Sequence, residues 1–187
     1  MGESNINGPN DDALIRKAQA GDIDAFGELY VRYVAMIYRY VRTRVNDMQI
    51  AEDITEQVFL NVFRALAGYR PKGMRFSAYI YRAARNAVID HYRKPATDDL
   101  ISDQPQAIVN VRALDDGLIE GEHLAQIMRS FGELSVEYQE VIRLRILLDI
   151  PTVTVAEWLD KSQGAVRVLL HRALKALRKR VEEEDVN

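Results

Sequence analysis

Apolar residues recur along this chain at intervals of three and four. From Phe26 through Leu29, Tyr30, Tyr33, Val34, Ile37, Tyr38, Val41 and Val45 the spacing holds for five turns, the mark of an amphipathic helix. A shorter stripe over 12–20 carries Leu14, Ile15 and Ala18 and stops at Gly21; Asp22 or Asp24 is placed to cap the long helix behind it. Asn46-Asp47 reads as a turn, and a third helix is predicted from about Met48 to Leu66, with Ile54, Val58, Phe59, Val62, Phe63 and Leu66 apolar. The Gly- and Pro-bearing stretch 67–73 is a loop. A fourth helix follows, with Phe76, Ile80, Ala83, Ala84, Ala87 and Val88 on one face and Pro95 just past its end.

The periodicity then lapses. Residues 96–115 carry Asp, Pro, Gln and Ser with no helical repeat and read as a linker. The pattern resumes near 117–131, and again behind Ser135, a candidate N-cap, as far as Asp149-Ile150-Pro151. A short helix over Thr154–Leu159, a polar turn at 160–164 and a final helix from about Gln163 to Glu183 complete the chain. Val166, Leu170, Ala173, Leu174, Leu177 and Val181 form the stripe of that last helix.

Composition narrows the class. With 187 residues, the chain has room for one ordinary domain or two small ones, at about 100–200 residues per domain. There are only 10 Gly and 5 Pro, which favours helices. The fold expected is all-α: an N-terminal helical bundle over 1–96, an acidic linker over 97–116, and a C-terminal helix-turn-helix domain over 117–187. The absence of Cys excludes disulfides and thiolate-bound metals, and His91, His123 and His171 are scattered, so neither metal nor cofactor is expected. No signal-like N-terminus and no apolar run near the ~20 residues of a bilayer span are present, which predicts a cytoplasmic protein without membrane insertion. No nucleophile–base–acid set or phosphate loop is recognisable, so an enzyme is not expected.

A net charge of −3 hides a strong segregation. Residues 61–97 carry +7 (Arg64, Arg70, Lys72, Arg75, Arg82, Arg85, Arg93 and Lys94 against Asp90), residues 98–133 carry −6, and residues 162–181 carry +6. Two basic blocks thus flank an acidic one. The C-terminal block has helix-turn-helix form, with the short helix bracing the long one through Val155, Ala156 and Leu159 while Arg167, His171, Lys175 and Arg178 turn outward. Such a helix enters a major groove, and its N-terminal N–H groups suit phosphate. Arg178, Lys179 and Arg180 also complement the helix dipole, which accounts for some of the basic charge without any ligand. The first basic block interleaves cations with Tyr69, Phe76, Tyr79, Tyr81 and Tyr92, chemistry suited to single strands, where charge follows the backbone and rings stack on bases. Phe76 lies on the apolar stripe and is assigned to the core; Asn86, amid Arg82, Arg85 and Arg93, is a candidate for a base edge. A duplex reader and a single-strand reader on one chain point towards promoter recognition with strand opening.

The residues carrying a family resemblance are the stretches 18–30, 51–66 (AEDITEQVFLNVFRAL) and 76–93 (FSAYIYRAARNAVIDHYR), with 134–145 and 164–174 in the second half. The first three resemble region two, and the last two region four, of the extracytoplasmic-function (ECF) group of bacterial sigma factors. The resemblance runs over nearly all of 11–181 in the right order. It implies two helical domains, recruitment of core RNA polymerase to promoters, and an anti-sigma factor as a further partner. By resemblance Asp53, Glu56 and Gln57 dock on the polymerase clamp. Tyr69, Arg75, Arg82, Arg85, Asn86 and Arg93 belong to the segment that melts and reads the minus-ten element, Asn86 at a position that takes an extruded base. Gln163, Arg167, His171, Arg172 and Lys175 belong to the helix that reads the minus-thirty-five element.

Four places depart from the family's usual residues. Val168-Leu169 stand where many relatives have Ser-Arg, Asp160 where Gly is frequent in the turn, Tyr79 where Trp is common, and Pro151 where Ser is usual. Two other readings of the residues stay open: a helix-turn-helix regulator that binds duplex DNA without polymerase, and a helical adaptor that binds only proteins. The acidic block over 98–133 is expected to mimic nucleic acid or cross a basic channel of the polymerase.

Overall fold

The computed structural model describes residues 11–70, 74–93 and 121–184. Among these there are helices and turns but no strand. The acidic linker expected over 97–116 lies outside the described residues, as does the expected start of the next helix at 117.

The first half holds α1 (Asp11–Gln19), α2 (Ile23–Arg42), α3 (Met48–Ala65) and α4 (Phe76–Arg93). Asp22 is the N-cap of α2 and accepts from the Ala25 N–H at 3.0 Å; Asp47 does the same for α3 through Ile50 at 3.0 Å. Gly21 makes the bend between α1 and α2 at φ 98°, a conformation costly for any residue with a Cβ. The stripes predicted from spacing meet in one core: Leu29, Tyr33, Ile37 and Val41 of α2, Ile54, Val58 and Val62 of α3, and Ile80, Ala84 and Val88 of α4 are buried. Tyr30 and Phe63 belong to the stripes, yet both are partly exposed. A single 3-10 turn, Leu66–Gly68, closes α3, and the Gln19 side chain donates to the carbonyls of Leu66 and Tyr69, both at 2.9 Å.

The second half holds α5 (Gly121–Gly132), α6 (Val136–Ile142), a π-helical turn at Arg143–Leu147, α7 (Thr152–Leu159) and α8 (Gln163–Glu184). Ser135 caps α6, accepting from Tyr138 at 3.4 Å. Asp160 ends α7 in the left-handed region, φ 56° and ψ 49°, and Lys161 N–H closes on the Ala156 carbonyl at 2.8 Å. The position where the family often places Gly therefore does demand left-handed geometry, and Asp supplies it as one of the few residues with a tolerable cost. Ser162 Oγ then accepts from Ala165 at 3.1 Å to start α8. On α8, Val166 and Ala173 are buried, Leu170 and Leu177 pack partly against the core, and Leu174 is exposed, so the stripe predicted for this helix is only half covered.

The two halves share an interface that the chain pattern does not announce. α7 packs on α4. Trp158 of α7 lies flat on Tyr81 of α4, with centroids 4.6 Å apart and planes at 14°, and its Nε1 donates to Ser77 Oγ at 3.3 Å. Tyr81, Trp158 and Ser77 are all buried.

Candidate nucleic-acid interface

Three surfaces carry the residues singled out by sequence. The first is the outer face of α3. Asp53, Glu56 and Gln57 are all exposed there. Gln49 donates to Asp53 at 3.2 Å and Gln57 to Asn61 at 2.8 Å, pairs one helical turn apart that hold this face in order. Leu60 and Phe63 continue the same face with their side chains half in solvent. Phe63 leans edge-on against Phe26, and Tyr30 against Phe59, so the outward apolar surface of α2 and α3 is rigidly backed. This face therefore sets exposed polar groups beside fixed apolar surface.

The second surface is α4 with the loop before it. Arg82 and Asn86, one turn apart, are exposed; Arg85 beside them is half-buried, and Arg93 is exposed at the end of the helix. Arg75 is exposed at the start and is paired with Glu157 Oε1 at 3.2 Å. Arg82, Arg85 and Asn86 line a cleft of about 560 Å³. Tyr69 lies elsewhere: only 6 % exposed, it packs against Phe76 and Tyr79, and its hydroxyl donates to the Met74 carbonyl at 3.1 Å. Burial first, then Asp12, pushes this hydroxyl up to about 12. Its ring is therefore enclosed by Phe76 and Tyr79 and presents no open face to a base. Phe76 is core, as its place on the stripe predicts, and Tyr81 faces the second half. Tyr92 is partly exposed and donates to the Arg44 carbonyl at 2.6 Å.

The third surface is α8. Gln163, Arg167, His171, Arg172 and Lys175 are exposed, and steps of three and four set Arg167, His171, Lys175 and the neighbouring Arg172 along one side of the helix. None of these five has an ion-pair partner shown in the structure. The cations further along do: Arg178 meets Glu182 at 2.8 Å, Lys179 meets Glu183 at 3.4 Å, and Arg180 pairs with Glu133. The basic block of 162–181 thus divides into an exposed portion with no ion pair shown and a portion paired with carboxylates of the protein itself.

Sequence reasoning missed the centre of the molecule. Glu140 of α6 is 3 % exposed. Its Oε1 accepts from the Tyr40 hydroxyl at 2.8 Å and from the Tyr81 hydroxyl; its Oε2 accepts from Arg44 at 3.0 Å and Arg143 at 3.4 Å. Arg143, 1 % exposed, also donates through Nε to the Thr43 carbonyl at 3.4 Å and lies over the Phe131 ring. Burial raises the Glu140 carboxyl, but Arg44, then Arg143, then the two hydroxyls outweigh it and hold the group below its ordinary range. Burial and then Arg44 push the Arg143 guanidinium down to about 10. Burial and then Glu140 raise Tyr40; burial, then Tyr40 and Glu140 raise Tyr81. A charge at mid-helix reads as solvated in a linear sequence, and its donors lie up to 100 residues away.

Among the described residues no group of His, Asp or Glu is arranged to hold a metal ion, and no helix is long and apolar enough to cross a membrane.

Two family profiles match the chain, one in each half. A family profile described as Sigma-70 region 2 matches residues 29–97, and one described as Sigma-70, region 4 matches residues 124–177. The chain is 31% identical over 166 residues to the ECF RNA polymerase sigma factor BldN of Streptomyces coelicolor, covering 88% of this chain and 63% of that protein. It is 25% identical over 179 residues to SigW of Bacillus subtilis, another ECF RNA polymerase sigma factor, covering 90% of this chain and 95% of that one. The chain therefore spans about two thirds or less of BldN but nearly the whole of SigW. Among solved structures, CnrH in complex with the cytosolic domain of CnrY superposes with a TM-score of 0.64 at 22% identity, covering 92% of this chain and 97% of that one. That likeness is one of fold.

Proposed function

The chain belongs to the sigma-70 family of RNA polymerase sigma factors, in its extracytoplasmic-function group, and from that premise we propose that it binds core RNA polymerase and directs it to a defined set of promoters. The observation that carries this reading is the presence on one chain of three exposed surfaces of different chemistry. The polar and apolar outer face of α3, with Asp53, Glu56 and Gln57, docks on the polymerase. The cationic side of α4, with Arg82, Arg85, Asn86 and Arg93, and Arg75 before them, takes the melted strand of the minus-ten element. Gln163, Arg167, His171, Arg172 and Lys175 of α8 read the minus-thirty-five element in the major groove.

The division of labour follows from chemistry. Arginines hold phosphates without reading sequence, while an exposed Asn offers the donor and acceptor pair that an adenine edge requires. Capture of an unstacked base on α4 stabilises the open strand at no covalent step. The protein contributes no catalysis of its own; bond formation belongs to the polymerase. Its place of action is the cytoplasm, where DNA and polymerase are. An anti-sigma protein is its second protein partner, and α2 and α3 offer fixed apolar surface for one. The N-terminal and C-terminal units correspond to 1–96 and 117–187, joined by the acidic segment between.

The test is direct capture. Purified protein mixed with core polymerase co-elutes as one complex, and Asp53→Ala with Gln57→Ala dissociates it while the fold is unchanged. A double variant that still binds core as the parent does would overturn the assignment of α3.

A further inference from the structure

α1 carries no residue assigned to polymerase or DNA, yet it reaches the start of α4 from both of its ends. Gln19, its last residue, directs both N–H groups of Nε2 at the chain that leaves α3, to the carbonyls of Leu66 and Tyr69 at 2.9 Å each. Asp11, its first residue, accepts from Arg32 and from the Tyr33 hydroxyl. Tyr33 stands edge-on to Phe76 with centroids 5.9 Å apart. Tyr69 stands edge-on to Phe76 at 5.5 Å and lies tilted against Tyr79 at 4.8 Å. The Tyr69 hydroxyl then donates to the Met74 carbonyl at 3.1 Å, just before α4 begins. Two routes from α1 therefore meet on the first turn of α4.

That turn adjoins the groups assigned to the melted strand. Tyr79 precedes Arg82 by one turn and Asn86 by two, at steps of three and four, so the placement of its ring and the placement of that face are linked. Arg75 sits immediately before the helix. Of the two routes, the one through Gln19 is the more exacting, because hydrogen bonds fix distance and direction where ring contacts allow sliding. It is also the one that burial needs least. Without Gln19 the Leu66 carbonyl keeps the Tyr69 N–H at 3.0 Å, and the Tyr69 carbonyl keeps Arg70 at 2.9 Å, so neither is stranded. The end of α1 is itself held, with Gly21 turning the chain at φ 98° and the Asp22 N–H closing on the Lys17 carbonyl at 3.1 Å. A forked donor on a fixed post, gripping backbone that is satisfied without it, places that backbone.

We propose that Gln19 is a positioning residue for strand reading. By fixing the backbone at Leu66 and Tyr69 it sets the Tyr69 ring and, through Phe76 and Tyr79, the first turn of α4, so that Arg75, Arg82 and Asn86 meet the melted strand in register with its bases. Gln19 itself touches no nucleic acid. The inference rests on α4 being the minus-ten face. Base selectivity, rather than fold or total affinity, is then the property that Gln19 governs. A hydrogen bond to a base edge weakens steeply with misplacement, whereas the attraction of arginines for phosphates falls off slowly with distance.

The experiment uses holoenzyme assembled from core polymerase and the full chain, parent or variant. The probe is a labelled single strand carrying the minus-ten element of one promoter mapped by run-off transcription, together with strands in which each base of the element is replaced in turn. Gln19→Met keeps an unbranched side chain of similar length without a donor. Gln19→Glu is nearly isosteric and turns oxygen towards both carbonyls. The parent should prefer the intact strand by about tenfold or more at one position at least, the usual worth of a base. In both variants that ratio should fall about threefold or more, the worth of one hydrogen bond, while core capture and far-ultraviolet circular dichroism stay parental. Partial unfolding lowers the active fraction alike for every strand and leaves the ratio unchanged, so the ratio separates placement from stability. Parental ratios in Gln19→Met, with or without a uniform loss of affinity, overturn the inference and leave α4 as the DNA face. A parent that binds all the strands equally overturns the reading beneath it, and the inference with it. If Gln19→Glu loses its helical signal, Gln19→Met decides by the same ratio.

Discussion

Trp158 of α7 lies parallel to Tyr81 of α4, 14° apart in plane and 4.6 Å apart in centroid, and this contact joins the half that holds α4 to the half that holds α8. The Tyr81 hydroxyl, at the other end of the same side chain, donates to Glu140. One residue therefore serves the apolar and the ionic part of the interface together.

Tyr81→Phe keeps the stacked ring and deletes that hydrogen bond. It should lower stability by about 1.5–3 kcal/mol, the range for a bond to a charged acceptor. Tyr40→Phe should do the same, since Tyr40 shares Glu140 Oε1. Because the two hydroxyls meet on one oxygen, the double variant should depart from additivity by at least about 0.5 kcal/mol. Urea unfolding of the parent, the two singles and the double measures this; strict additivity would mean that the hydroxyls act independently.

The packing of the two halves should depend on pH through Glu140. In the folded chain Arg44, Arg143 and the hydroxyls hold this carboxyl below its ordinary 4.5 against the opposing effect of burial. A group whose value is depressed in the folded chain stabilises that packing fully above 4.5, and the contribution is lost as pH falls through the depressed value. Trp158 emission should thus shift to the red on acidification below 4.5. Glu140→Gln should show no such acid transition of the interface.

The basic block at the end of the chain should split in two. Arg167→Ala, Arg172→Ala and Lys175→Ala should each weaken promoter binding and reduce the slope of log affinity against log salt by about 1. Arg178→Ala and Lys179→Ala should leave the slope almost unchanged, because Glu182 and Glu183 already neutralise those cations. Affinity measured across a salt series distinguishes the two groups.

Much of this was legible in the linear pattern, and the exceptions share a cause. Helix starts at Asp22, Asp47 and Ser135 are local events, a side chain closing on an N–H three residues on, and a sequence displays them. The outward placement of Asp53, Gln57, Arg82, Asn86 and Arg167 follows from the same periodicity that placed Ile54, Val58 and Ile80 inside. Tyr69 illustrates the limit. Beside Arg70 and Lys72 it reads as an exposed ring, but Phe76 and Tyr79 of α4 enclose it. Glu140 and Arg143 are charged residues at helical spacing, and nothing local separates them from a solvated pair. Their burial is decided by Tyr40, Thr43, Arg44 and Tyr81, and partners so far along the chain leave no periodic trace.

Val168 marks a point where promoter choice should be set. It is 51% exposed on α8, adjacent to Arg167 and one turn before Arg172, and serves no core. An exposed valine in a major groove meets the C5-methyl group of thymine. Replacing the thymines of the mapped minus-thirty-five element one at a time by deoxyuridine should, at one position, weaken binding roughly fourfold, the worth of one buried methyl. Val168→Ser should abolish that sensitivity. Equal loss in parent and variant would place the thymine contact on another side chain.

A chain that gives RNA polymerase its promoters should start RNA with core enzyme where neither does so alone. Run-off transcription on fragmented genomic DNA, with core enzyme alone, with the chain alone and with both, measures this. Transcripts should arise from a small set of defined start sites only when both are present, and should be lost with Asp53→Ala and Gln57→Ala together. Start sites identical with and without the chain would contradict it.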